Sequence, residues 1–478
     1  MLLTDLLILI LVTLVLRFGL GLRPRSRGLI LMLASILVIF WLQPVTSIRF
    51  LDFWMPVATL FITIGSWLLT AEPDQKKSRS NLITLTLVTL TILLIALTRY
   101  LGLSELIGSL KPPQFGQVLI GTAILLVFVI LIARFSSAKK AWLMIGIIFL
   151  LTLFVILKTP PLALAGSTFL RSLVGQSLAS ASPLDIRWLG FSYVAFRLIH
   201  TLRDRMSGRM PQVSLQDYLT YVIFFPAFSA GPIDRLPRFI KDLQEPLLPF
   251  SPQLGQAFYR LTVGIFKKFA LADSLALLAL NAQNASQLQS TGFSWLMVYA
   301  YAFLIYFDFS GYTDIAIGLG QLLGITLPDN FNRPYLKPNL TQFWNNWHIT
   351  LTQWFRAYFF NPFTRSLRSK YRGLNVGWIV LITQLSTMIL IGLWHGVAWN
   401  FVLWGLWHGL GLFVNNRFSD WVKPRLSRLQ THTRMQRSLD AFNTVLTFHF
   451  VALGWIWFAL PSVPLSLNVF TRLFGLGS

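Results

Sequence analysis

The sequence predicts an all-α integral membrane protein, a polytopic bundle of about 11–13 membrane helices. Three observations predict it. Of 478 residues, 55% are hydrophobic and only 12% charged, with a mean hydropathy of +0.63, whereas a soluble domain carries about 25% charged residues. Apolar runs recur at spanning length, and the loops between them alternate in positive charge.

Taken in order, six hydrophobic runs fill the first third, at about 3–22, 28–45, 53–71, 82–98, 116–133 and 141–157. Each is close to the ~17–25 residues that cross a bilayer. The apolar stretch Leu6 to Leu16 is followed by Arg23-Pro24-Arg25-Ser26-Arg27 and not by a small-residue cleavage site, so it reads as a retained first helix rather than a signal peptide. Arg23, Arg25 and Arg27 follow the first run, Lys76, Lys77 and Arg79 the third, and Lys139 and Lys140 the fifth. The intervening loops hold only Arg49 in one and Arg99 with Lys111 in the other. The positive-inside bias then puts the N-terminus outside and the basic loops in the cytoplasm. Residues 1–157 form a six-helix N-terminal segment on this reading.

Lys158-Thr159-Pro160-Pro161 ends the sixth helix, because proline lacks the amide hydrogen a helix needs. A Gly/Ser/Leu-rich connecting loop, 158–187, follows, with room for a short interfacial helix. From 188 to 460 the apolar runs carry ionisable groups: Arg197 and His200 in 189–202, Lys267 and Lys268 in 256–280, and Asp308 in 293–326. Cleaner spans return at 376–394, 398–416 and 441–460, before a tail at 461–478. A charge in the bilayer costs at least ~2.5–3.5 kcal/mol, so such residues face a cavity or a partner. The first third therefore reads as scaffold and 188–460 as machinery. No internal repeat is visible, so an inverted-repeat transporter is unsupported.

Net charge is +23, from 40 Lys and Arg against 17 Asp and Glu. In a soluble protein that balance suggests nucleic acid. Here the basic residues lie between apolar runs, so the expected partner is membrane lipid and not nucleic acid. There are no cysteines, which excludes disulfides, a thiolate nucleophile and Cys-ligated zinc.

Six histidines carry the candidate chemistry: His200, His348, His395, His408, His432 and His449. His432 lies in a basic loop, His449 reads as a packed and hydrogen-bonded histidine, and His200 as interfacial beside Arg197 and Arg203. His348, in Phe343-Trp344-Asn345-Asn346-Trp347-His348, and His395, in Gly392-Leu393-Trp394-His395-Gly396, are flanked by tryptophan. A histidine titrating near neutrality is the usual general base, and a helix-packing role is the alternative. On one continuous helix His408 would point some 140° away from His395, by the ~100° step of each residue, unless the chain breaks at Gly396. No metal is expected, since the sequence lacks H-E-x-x-H and its acids show no ligand spacing beside the histidines. Asp308, Gly311, Tyr312 and Ile315 share one helix face. The Asp308 carboxylate would orient a histidine, bind a cation, or satisfy an arginine such as Arg333 or Arg356. Ser229-Ala230-Gly231-Pro232-Ile233-Asp234-Arg235 cannot be regular helix and is expected beside a pore or funnel wall.

Together these residues resemble the membrane-bound O-acyltransferase family, most closely its bacterial branch that O-acetylates alginate and D-alanylates teichoic acids. The resemblance runs from about 188 to 416. It includes Gly190-Phe191-Ser192-Tyr193, Phe224-Phe225-Pro226 with Ala230 to Arg235, Gly264-Ile265-Phe266-Lys267-Lys268, Tyr306 to Asp314, Asn330-Phe331-Asn332-Arg333-Pro334-Tyr335 and the two histidine motifs. It implies a helical shell around a transmembrane tunnel, with 188–460 as the catalytic core. It also implies a bacterial plasma-membrane location, no bound cofactor, and an acyl thioester donor, acetyl-CoA or an acyl-carrier protein, arriving from the cytoplasm. The acceptor would be a hydroxyl of an extracytoplasmic polysaccharide, with a periplasmic acetyl-transfer partner outside. His395 matches the family's catalytic histidine and His348 the second histidine of the bacterial branch, while Trp394, Trp347, Asn345, Asp308, Tyr312 and Arg356 are the expected substrate contacts. By the loop charges, His395 lies towards the outer end of its helix. The sequence departs from the family at Asn345-Asn346, where alginate-type members carry two arginines, and at Ala357, where an aspartate is common. D-alanyl transfer, a transporter or lipid scramblase, and an inactive scaffold are the rival readings.

Overall fold

The computed structural model describes residues 2–22, 26–102, 112–135, 140–248, 250, 252–287, 290–426 and 433–476. Arg23, Arg25, Lys111, Lys139 and His432, read above as loop residues, lie outside them. Among the described residues the protein is helical, without strands. The six expected runs appear as Leu3–Leu22, Arg27–Leu42, Leu51–Thr70, Arg79–Leu101, Phe115–Phe135 and Lys140–Lys158. Among the described residues, seven helices are long and apolar enough to cross a membrane, including Thr291–Leu322 and Val376–His395. The protein is thus a multi-pass membrane protein.

The chain divides into two compact units that interleave in sequence: Met1–Leu261 with Ile315–Pro328, and Thr262–Asp314 with Asp329–Ser478. In the first unit, helix Leu51–Thr70 is central, with 72% of its most apolar stretch buried, against 17% for Phe115–Phe135 and Lys140–Lys158. These outer helices expose Ile120, Phe128, Ile145 and Phe149, which suits contact with lipid tails.

Buried arginines close the ends of helices in this unit. Arg17 is fully buried and donates to the carbonyls of Leu322 and Leu248, each at 2.8 Å. Arg27 donates to Asp242 O at 3.0 Å and Leu323 O at 2.6 Å, so it is not the solvated loop charge that the sequence suggests. A helix leaves its last carbonyls without partners, and a cation there also meets the negative end of the dipole. Gly324, at φ +75°, is required beside Arg27, whose Nη2 would lie 2.7 Å from an added Cβ. Arg197 likewise donates to Val222 O at 2.7 Å and Ala227 O at 2.6 Å. His200 is corrected from interfacial to buried, at 1% exposure, with Nε2 3.2 Å from the Tyr221 hydroxyl. The irregular 229–235 segment follows a 3₁₀ turn, Phe225–Ala227, and its Pro232, Ile233 and Asp234 are buried in the unit. Protein thus shields the broken backbone.

The expected connecting loop contains helix Pro160–Leu173. That helix is inside-out. It exposes Leu162, Leu164, Phe169 and Leu173 and buries Ser167 and Arg171, the pattern of a helix whose apolar face meets lipid. Asp185 accepts from Arg171 Nε at 2.9 Å, Ser167 Oγ at 2.7 Å and the Ser182 amide at 3.1 Å. Burial acts to raise the Asp185 carboxyl, but these hydrogen bonds outweigh it and hold the group below its ordinary range.

The second unit is built on an antiparallel pair, Val376–His395 and Trp399–Leu426. Glycines let the backbones approach: an added Cβ at Gly392 would lie 2.1 Å from Phe401 O, and one at Gly405 2.6 Å from Ile389 Cα. Close approach through small residues is a common way for helices to associate in lipid. The expected tail contains a further helix, Val463–Leu473, and Asn400 ties the start of the second hairpin helix to Leu460 O at 2.9 Å.

Asp185→Asn should lower the unfolding temperature in detergent at pH 7, since breaking a buried pair costs about 3–5 kcal/mol. The Asp185 contribution is present above the ordinary carboxylate pKa near ~4 and is lost as pH falls through the lowered value, so the gap to wild type should narrow in acid. Gly392→Ala and Gly405→Ala should each cost about 1–3 kcal/mol by overpacking, measured by the same melts. Gly19→Ala, which meets nothing within 4 Å, should not.

Candidate active site

The site lies in the second unit, and a break in the chain creates it. Helix Val376–His395 ends at His395, and Trp399 starts the return helix after Gly396-Val397-Ala398. The 140° separation that a continuous helix would impose on His395 and His408 therefore does not apply. Trp404 lies between the two imidazoles, its ring centroid 5.8 Å from His395 and 5.0 Å from His408. His395 is half-buried and packs edge-on against Phe458 at 4.7 Å. His408 is fully buried among Trp344, Trp404 and Phe450, and neither of its ring nitrogens has a hydrogen-bond partner among the described residues.

A second break presents His348. Helix Leu340–Asn346 stops, and Ile349–Phe355 begins with His348 as its cap, in the left-handed region at φ +42°. Such a conformation costs about 1–3 kcal/mol in a non-glycine residue and clusters at functional sites. A neighbouring loop holds it. Asn330, fully buried, accepts from Thr350 N at 3.2 Å and Thr350 Oγ1 at 2.6 Å, while its own carbonyl accepts from Ile349 N at 2.9 Å. The amide of Asn332 donates to Asn346 O at 3.1 Å. The His348 ring is 3% exposed, stands edge-on to Phe309 at 4.7 Å, and has no hydrogen-bond partner on either nitrogen among the described residues. Burial pushes this imidazole, which lies outside the spanning helices, down to about 3. At neutral pH it is uncharged, with one nitrogen a donor and the other an acceptor.

Trp394 links the two motifs. Its ring lies 6.1 Å from His348 and 4.4 Å from His395, edge-on to both. Asn345 and Arg356 also come together: Arg356 donates to Asn345 Oδ1, and both line a cavity of about 160 Å³ with Trp344, Gln384 and Asn416. A π-helical turn, Arg356–Phe360, begins at this arginine. Gln384 was missed from sequence. Its buried Oε1 has no partner among the described residues, and the available signal was an amide inside the apolar span 376–394.

Other expected contacts are placed differently. Trp347 is 4% exposed and packs against Phe331 at 5.1 Å and Trp455 at 5.0 Å, so it belongs to the aromatic core and does not line the cavity. Asp308 pairs with Lys268, and Asp314 with Lys267 at 2.7 Å. Among the described residues the Asp308 partner is a lysine, and not the arginine or histidine considered from sequence. A π-helical turn, Phe266–Ala272, presents these adjacent lysines, a distortion frequent at functional sites. Gly311 admits that turn, since its Cβ would lie 2.8 Å from Gly264 O. Tyr312 is half-buried on the Asp308 helix. His449 is hydrogen-bonded as expected, to the Tyr299 hydroxyl at 2.8 Å and Val445 O at 2.7 Å.

The chain is 31% identical over 284 residues to the teichoic acid D-alanyltransferase of Bacillus subtilis, covering 57% of this chain and 69% of that protein. It is 30% identical over 367 residues to the peptidoglycan O-acetyltransferase of Helicobacter pylori, covering 71% and 66%. It is also 30% identical over 291 residues to a probable alginate O-acetylase of Pseudomonas aeruginosa, covering 61% and 52%. The chain thus spans about two thirds of the first two relatives and about half of the third. The sequence model of MBOAT, the membrane-bound O-acyltransferase family, matches residues 40–460. The likeness therefore starts well before residue 188 and takes in most of the first six helices. With most of its length matched, the chain belongs to the membrane-bound O-acyltransferase family.

Proposed function

We propose that this O-acyltransferase moves an acetyl group from a cytoplasmic thioester to a hydroxyl of an extracytoplasmic polysaccharide, at the plasma membrane of a bacterium. The observation that supports it is the pair of imidazoles edging onto Trp394, one half-buried and the other buried with neither nitrogen partnered among the described residues. His395 takes the proton of the acceptor hydroxyl as its oxygen attacks the thioester carbonyl. The new C–O bond forms, the C–S bond breaks, and the departing thiolate recovers a proton. General-base assistance contributes about 10²–10⁴-fold. His348, neutral and held in place by Asn330, donates its N–H to the carbonyl oxygen as charge develops there, the larger contribution in many enzymes. Asn345, Arg356 and Gln384 offer polar contacts to the donor, acetyl-CoA or an acyl-carrier protein, from the cavity between their helices. A periplasmic acetyl-transfer partner is expected to receive or relay the group outside.

Likeness to a teichoic acid D-alanyltransferase favours one second reading, D-alanyl transfer to a teichoic acid-like polymer from a carrier protein. Supplying labelled acetyl-CoA or labelled D-alanyl carrier protein to membranes holding the chain separates the two by the label that reaches polymer.

His395→Ala should reduce that transfer by about 10²-fold or more while the protein remains in the membrane with an unchanged melting temperature. Full activity in this variant removes His395 as the base, and transport that survives His395→Gln without any acyl transfer points to a carrier. Asn330→Ala should lower kcat by up to ~10²-fold, the cost of misplacing a catalytic group by about 1 Å, with little change in KM. An equal loss in both parameters rejects its role in positioning His348.

A further inference from the structure

A second cavity, of about 350 Å³, opens in the first unit and is lined by Pro44, Lys158, Arg187, Trp188 and Phe191. It is within the range of ~300–1,000 Å³ typical of small-molecule pockets. Lys158 ends helix Lys140–Lys158, a 19-residue span of mean hydropathy 2.5, so it sits where the hydrocarbon gives way to headgroups. Pro44 follows the end of helix Arg27–Leu42, and the loop charges assign both ends to the outer leaflet.

Both cations lack a carboxylate partner among the described residues. The Lys158 ammonium is half-buried and lies 5.9 Å from the Phe154 ring. Arg187 donates Nε to Leu184 O at 3.2 Å and is otherwise exposed. The acid nearest in sequence, Asp185, is already held by Arg171. Trp188 gives the cavity a fixed wall, because its Nε1 donates to Thr59 Oγ1 at 2.8 Å and its ring packs on Phe191 at 4.9 Å. Leading away from Lys158 along its own helix, Val155 and Leu151 are each 48% exposed. On the neighbouring helix Leu162, Leu164 and Phe169 are exposed as well.

A pocket with two unneutralised cations at headgroup depth, continued by an apolar strip at chain depth, fits one molecule with an anionic head and hydrocarbon tails. We infer that this cavity binds the phosphate of an anionic phospholipid, with the acyl chains lying along the Leu151–Val155 face. An anionic polysaccharide would match the cations but has nothing to cover that strip. The assignment is independent of the reaction proposed above.

The test is native mass spectrometry of the full-length protein, released from nanodiscs with equal phosphatidylglycerol and phosphatidylcholine. Wild type should retain phosphatidylglycerol preferentially, by roughly thirtyfold for two basic contacts at about 1 kcal/mol each. The Lys158→Gln, Arg187→Gln double variant should lose that preference, and the charge-preserving Lys158→Arg, Arg187→Lys variant should keep it. Melting temperatures establish that all three are folded. Equal retention of the two lipids by wild type overturns the inference, as does an unchanged preference in the glutamine variant or an equal loss in the charge-preserving one. In a lipid-free detergent arm, glycerol phosphate and alginate oligomers are titrated separately. If either binds through these residues while the lipid preference survives their removal, the site belongs to a soluble anion or polymer and not to lipid.

Discussion

The constraint on which this structure rests is that a backbone amide or carbonyl inside a membrane has no water to bond to. Regular helix satisfies most of these groups. Every point at which helix stops inside the protein needs a partner from elsewhere. In the first unit, guanidinium groups supply it: Arg17 and Arg27 collect the carbonyls that end helix Thr291–Leu322, and Arg197 those that end Leu215–Ile223. In the second unit, asparagines do so, with Asn330 at the break before Ile349 and Asn400 bonded to Leu460 O. The basic excess of the chain is thus partly a capping device. The sequence suggests a topological signal at Arg27, while the structure shows the same residue buried.

Those satisfied breaks are what bring the histidines together. An unbroken helix would hold His395 and His408 on diverging faces, and an unbroken Leu340–Phe355 segment would give His348 ordinary helical geometry. Ending one helix at His395 and forcing His348 to φ +42° puts both rings against Trp394. The strain at His348 persists because the Asn330–Asn332 loop bonds the chain on both sides of it. Aromatic packing then excludes water. Trp404, Trp455 and Phe343 are almost completely buried, so a polar atom without a partner among the described residues, on His348, His408 or Gln384, is held in a medium where a new hydrogen bond counts heavily.

The ion pairs show where sequence spacing misleads. Asp308 and Asp314 share one helix with Tyr312, and Asp308 reads from sequence as a partner for a histidine, a cation or an arginine. Both pair with adjacent lysines, which a π-helical turn presents together. A regular helix sets neighbouring residues about 100° apart, and nothing in the local sequence announced the extra residue in the turn. Trp347 likewise shares a motif with His348 but not a direction, because the helix break sends one ring into the core and the other to Phe309.

The sequence by itself determined the membrane, the helical class and the six N-terminal helices to within a few residues, and it singled out His348 and His395 as candidates. These are properties of composition and of local period, which survive without knowledge of the fold. Tertiary structure alone decided which charges are buried, that Arg356 meets Asn345, that Gln384 Oε1 and both His408 nitrogens are buried without a partner among the described residues, and that one indole packs against both imidazoles. These depend on where helices stop and how closely glycines let them approach. Both are settled by atoms distant in sequence that satisfy the backbone at each break.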